Sequence, residues 1–167
     1  MGQMKKSKPI AAFNSPFELG VRMVYLLNSL QPAGADLQKL VLLDYAIVYS
    51  DDLGGPPSLH TPVPYRGSEY LSRRELISQG LYLMSTRGLV AATMDEAGIT
   101  YFAGDTARTM VGALTSPYLR ELEGRCRWAA ASFATLSSRA MTQRFAQEGR
   151  LWGAEFEGAS ARGHQWQ

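Results

Sequence analysis

Several things are scarce in this chain, and each scarcity removes a class of function. Cysteine occurs once, at Cys126, so no intramolecular disulfide can form and a reducing, cytoplasmic location is expected. Histidine occurs twice, at His60 and His164. One thiol and two distant imidazoles do not make a structural zinc site. Charged residues are 19% of the chain and the net charge is +2, so no strong field selects nucleic acid or a membrane as partner. No run approaches the ~20 apolar residues that span a bilayer. The basic start MGQMKKSK has no apolar stretch behind it, which argues against a secretory signal. GGPPS is not a phosphate-binding loop, since it lacks the lysine and the following helix.

What is present is enough apolar residue to build a core. Hydrophobic residues are 46% of 167, which suits one domain with an appended helical piece. Asn14 or Ser15 can cap a first helix, with Pro16 in its first turn and Glu18 placed for a capping box. Leu19, Met23, Leu26, Leu27 and Leu30 then share a face. Asp36 caps a second helix whose apolar face is Leu37, Leu40, Val41, Tyr45 and Val48. The segment 50–68 holds Pro56, Pro57, Pro62 and Pro64, half of the eight prolines, and reads as an extended loop. A third helix runs from about Ser68 to Arg87, stopped by Gly88, with Tyr70, Ile77, Leu81 and Met84 inward. Leu89–Met94 and Ile99–Ala103 read as a hairpin. A further helix spans about Pro117 to Leu136 on the stripe Leu119, Leu122, Cys126, Ala129 and Phe133, and Met141 with Phe145 suggests a last short one.

The fold class is therefore mainly α with a small β-hairpin: a winged-helix-like core plus C-terminal helices. The expected division is a flexible leader 1–12, a winged-helix-like domain 13–104, a C-terminal helical extension 105–156 packed on it, and a flexible tail 157–167.

A winged helix raises the question of DNA. The outer face of the third helix would show Ser72, Glu75, Gln79, Tyr82 and Thr86, without a cation. Readers of DNA need Lys or Arg for phosphates and base edges. The hairpin turn adds Asp95 and Glu96, the wrong sign for a phosphate backbone. Any contact with DNA is thus expected to be indirect. A helical stripe of Arg120, Arg125, Arg127, Arg139, Arg144 and Arg150 keeps a DNA-binding regulator as the alternative. No catalytic, metal or cofactor set emerges, and an enzyme built on Cys126 is disfavoured because that thiol sits on an apolar stripe. Asp44 falls in the middle of the second helix's apolar face, where a carboxylate needs a partner. Arg73 or Arg74 could answer it as a structural ion pair.

The spaced elements Asn14-Ser15-Pro16 with Glu18 and Gly20, Leu37-Gln38 with Leu40-Val41, and Leu43-Asp44-Tyr45 come in a fixed order. Gly54-Gly55-Pro56, Ser58-Leu59-His60, Pro64-Tyr65-Arg66, Arg73-Arg74-Glu75-Leu76, Gly80-Leu81 and Arg87-Gly88-Leu89-Val90 follow. Weaker signs are Gly98-Ile99, Tyr101, Ser116-Pro117-Tyr118, Trp128 and Trp152–Phe156. Together they resemble the type 2 middle component of ABC-three-component systems, over roughly residues 13–156. Such operons overlap the Lamassu antiphage systems. The resemblance implies a non-enzymatic adaptor without a cofactor. Its partners would be an SMC-like ABC ATPase subunit and a variable effector, often a nuclease, with no membrane involved. The candidate partner surfaces are Pro56, Leu59, His60, Tyr65 and Arg66 in the loop, and Trp152 and Phe156 near the end.

Overall fold

The computed structural model describes residues 15–60 and 70–148. Six helices and one hairpin follow one another. They are α1 (Pro16–Leu30), α2 (Leu37–Val48), a 3-10 turn (Ser50–Leu53), α3 (Tyr70–Ser85), β1 (Val90–Asp95), β2 (Gly98–Ala103), α4 (Ala107–Ala113), α5 (Pro117–Phe133) and α6 (Ser138–Glu148). The fold is thus mainly α with a two-strand hairpin, as expected. The leader 1–12 and the tail 157–167 lie outside the described residues. Among the described residues no helix is long and apolar enough to cross a membrane.

Local chemistry starts and stops these elements. Ser15 Oγ accepts from Glu18 N–H at 3.2 Å and Pro16 opens α1. The Asp36 carboxylate accepts from Lys39 N–H at 2.7 Å to start α2. Ser116 Oγ accepts from Leu119 N–H at 3.3 Å, with Pro117 next. Each side-chain oxygen satisfies an amide that the helix leaves unpaired. After α3, Gly88 adopts φ +70°, and Leu89 N–H returns to Met84 O at 3.1 Å. A left-handed residue here favours glycine.

The hairpin register runs without a bulge from Val90↔Ala103 to Asp95↔Gly98. Its two-residue loop is steadied by Asp95 Oδ1, which accepts from Ala97 N–H at 2.8 Å. Ala35, between α1 and α2, adds a single rung to β2 through two 2.9 Å bonds with Tyr101. The order helix, rung, helix, helix, hairpin is compatible with a winged-helix core.

Two expectations need correction. First, α1 and α2 were expected to bury one face each. Instead α1 is surrounded by α3, α4, α5 and β2, and α2 by α3, α5 and α6. Every residue from Lys39 to Val48 is buried. The C-terminal helices cover what a three-helix domain would leave open, so Leu122, Cys126, Phe133, Met141 and Phe145 join one core with Leu19–Leu30. Second, the long C-terminal helix stops at Phe133. Ser137 Oγ accepts from Ala140 N–H at 3.1 Å and starts α6, the short last helix expected around Met141 and Phe145. The break lets Phe145 fold back, edge-on to Phe133 with centroids 5.5 Å apart.

Candidate functional site

α1, α2, α3, α5 and the loop after α2 converge on one buried polar cluster. Its centre is Asp44 on α2, fully buried. Arg22 on α1, 2% exposed, grips it with both prongs, Nε to Oδ1 at 2.8 Å and Nη2 to Oδ2 at 3.0 Å. This fork geometry is the strong form of a charge-assisted hydrogen bond. Arg73 on α3 adds Nη1 to Oδ2 at 3.3 Å, and its guanidinium lies over the Tyr49 ring, 5.7 Å from the centroid. Arg74 turns instead to Gln38, donating from Nη1 to Oε1 at 3.0 Å. Of the two arginines expected to answer Asp44, Arg73 does so, and the principal partner is a third, Arg22. Its burial was signalled by its neighbours, since Val21 and Met23–Leu27 leave that stretch of α1 no polar side.

Burial pushes the Asp44 carboxyl up, but the guanidiniums of Arg22 and Arg73 outweigh it and hold Asp44 below the ordinary carboxylate range. His60 Nε2 lies 2.9 Å from Tyr118 Oη, with the rings stacked at 23°. Burial lowers His60 first, and Arg22 and Arg73 lower it further against the opposing pull of Asp44, to about 4. His60 is therefore neutral at pH 7. Its folded value lies below the ordinary 6.5, so the unfolded chain takes up the proton first. Folding stability should fall as pH drops from 6.5 toward 4. His60→Gln should flatten that window in urea titrations at successive pH values. A wild-type stability that stays constant across it would contradict the burial of this ring.

The loop itself is a strap tied to the body. Ser50 Oγ donates to Pro56 O at 2.9 Å and to Pro57 O at 3.3 Å. Arg125 on α5 donates to Pro57 O from Nε at 3.0 Å and Nη2 at 2.8 Å. His60 N–H returns to Val48 O at 3.2 Å. Gly55 sits so close to Trp128 that a Cβ would run into the indole ring. Pro56, Leu59 and His60, expected to face a partner, are all partly buried on their own chain, and Leu59 packs against the core. Tyr65, Arg66, Trp152 and Phe156 lie outside the described residues.

Other expected groups are placed as follows. Ser72, Glu75, Gln79 and Tyr82 are exposed on α3 and Thr86 just past its end, and Gln79 Nε2 donates to Glu75 Oε1 at 3.2 Å. Of the C-terminal arginines, Arg125 holds the strap and Arg144 lies over the Phe133 ring at 5.0 Å. Arg120, Arg127 and Arg139 are exposed, and Arg150 lies outside the described residues. Cys126 is fully buried, and burial pushes its thiol up, away from the reactive thiolate. Among the described residues no group of three or more His, Cys, Asp or Glu could hold a metal ion. Among the described residues the exposed large apolar side chains are Phe17, Tyr82, Met94, Ile99 and Leu114, and of these the sequence places Tyr82 outward.

The cluster closes on itself: one carboxylate meets two guanidiniums, and the imidazole meets a phenol. Such an arrangement locks three helices, α5 and the strap into one register. The sequence model of the ABC-three component (ABC-3C) system Middle Component 2 family matches residues 12–155. The chain belongs to this family. No curated protein and no solved structure was found to match it. In this Middle Component 2 chain, the matched span takes in all the described helices, the hairpin and the strap. Membership implies that other components of an ABC-3C system are its partners.

Proposed function

We propose that this chain is a non-enzymatic adaptor in a cytoplasmic, Lamassu-type defence complex, bridging an SMC-like ABC ATPase and a toxic effector, often a nuclease, and regulating effector release. The observation that carries the reading is the family match over residues 12–155. Two features support it. At the centre of the fold Asp44 pairs with Arg22 and Arg73, and His60 with Tyr118, as befits a part whose shape must be held. The most exposed large apolar side chains among the described residues lie instead on α3 and the hairpin, where Tyr82 is 73% exposed and Met94 78%, the kind of surface another protein covers. The alternative of a DNA-binding regulator has Arg120, Arg127 and Arg139 to draw on, without a cation among the outward α3 residues named above.

Co-expression of the tagged chain with its genomic neighbours, followed by pull-down and mass measurement, tests the proposal. A stable complex with an SMC-like ATPase is the expected outcome. Tyr82→Asp should weaken it by roughly tenfold or more if α3 lies in the interface, as exposed aromatic anchors do. A chain that ignores both neighbours yet binds DNA with a steep salt dependence would replace the adaptor with the regulator.

A further inference from the structure

Among the described residues β1 is paired on one side only. Its ladder to β2 is regular along its length, and among the described residues no strand lies along its other edge. A two-residue hairpin loop makes Asp95 and Gly98 the closing hydrogen-bonded pair, so bonded and non-bonded pairs alternate back from the turn. Thr93 and Ala91 then bond inward to β2. Val90, Ala92 and Met94 aim their N–H and C=O groups outward. Tyr101, opposite Ala92, obeys the same alternation: it turns outward on the far side and exchanges both bonds with Ala35.

Apart from Asp95 at its end, this edge lacks the devices that keep sheet edges apart. Val90–Asp95 contains no Lys, no Pro and no bulge, and all of it beyond Val90 is exposed. One face of the strand reads Val90, Ala92, Met94, and continues across the hairpin through Ala103, Tyr101 and Ile99. It is buried at Val90 and open at the tip, where Met94 is 78% and Ile99 43% exposed. The two ends differ in charge. The exposed Arg87 precedes the strand, and Asp95 and Glu96 close it.

We propose that the β1 edge pairs antiparallel with the β1 edge of a second copy of this chain, across a two-fold axis at Ala92, to form a four-stranded sheet. Such a pairing is self-complementary. It sets each Met94 opposite Val90 of the second copy and pairs the outward groups of all three residues. It joins the two apolar faces into one surface. It also brings Asp95 and Glu96 of each copy to the end of the ladder where Arg87 of the other lies, so opposite charges meet. A parallel pairing would place carboxylates against carboxylates. This inference stands on backbone geometry and charge order, and does not rest on the adaptor reading.

Sedimentation equilibrium of the full chain across a range of concentrations tests it. The expected species is a dimer of twice the 18.4 kDa chain mass, dissociating on dilution. Ala92→Pro removes an outward donor while sparing the ladder to β2. Met94→Lys puts a charge on an exposed tip and leaves the core untouched. Each should raise the dissociation constant roughly tenfold or more at unchanged far-UV circular dichroism. In the wild type, the amides of Ala92 and Met94 should exchange slowly in the dimer and fast on dilution. A monomer at all concentrations with fast amides at both positions overturns the proposal. So does a dimer that Met94→Lys and Ala92→Pro both leave intact. Protection of these amides only after an ABC ATPase subunit is added would also overturn self-pairing, and would assign the edge to that subunit.

Discussion

Asp44→Ala should destabilise the chain by about 3–5 kcal/mol, read as a lower urea midpoint at an unchanged slope. The substitution leaves two guanidiniums, Arg22 and Arg73, in a site where the first is 2% and the second 8% exposed. Their desolvation would no longer be offset by a carboxylate at 2.8–3.3 Å. Arg22→Met should cost less, because Arg73 still answers Asp44 and the methionine chain fills part of the space. The pH dependence has a definite sign. The folded pKa of Asp44 is lowered, since the two guanidiniums outweigh the upward push of burial. Its contribution is therefore present above the unfolded value of about 3.9 and is lost as pH falls through the folded value. Wild type and Asp44→Ala should converge in stability only in acid. A loss below about 1 kcal/mol at neutral pH would mean that water reaches the cluster.

The second large effect concerns two glycines. Gly80→Ala should destabilise by about 2 kcal/mol, although the same change in an open helix position stabilises by about 1 kcal/mol. A Cβ at Gly80 would lie 2.6 Å from Gly20 N and 2.6 Å from Pro16 O. These are main-chain atoms of α1 and cannot swing aside, so the two helices would have to part. Gly20 is placed reciprocally, with Gly80 O 2.8 Å from a Cβ built there. Gly124 on α5 has nothing within 4 Å, so Gly124→Ala is the matched control with the opposite expected sign. Thermal unfolding of the two variants side by side checks both. If Gly80→Ala raised the midpoint, the close approach of α1 to α3 would be wrong.

Much of the fold was readable because its signals act over a few residues. Ser15, Asp36 and Ser116 each bond an amide three positions ahead, and the hairpin shows as two short runs around Asp95–Gly98, although the structure tightens that connection to the two residues between Asp95 and Gly98. The outward row Ser72, Glu75, Gln79, Tyr82 and Thr86 followed from helical period alone. The stop of α5 at Phe133 was missed because the apolar stripe continues past it to Leu136, partly buried against the core, while the cap at Ser137 competes locally. The anchoring of the strap was not legible for a related reason. Proline content marks a segment as extended, but it does not say which surface the segment lies on.

Sequence by itself determined the order of the elements, the caps of α1 and α2, the presence of the hairpin and of a carboxylate that must be compensated. Tertiary structure alone decided which arginine compensates it, 22 positions away, and that Arg125 holds Pro57 across 68. It alone decided that, among the described residues, no strand lies along the second edge of β1. The division has a physical cause. Caps and periodicity are set by hydrogen bonds and side-chain directions within one or two turns. Long-range partners are set by how whole helices stack, and that depends on the summed burial of every face at once.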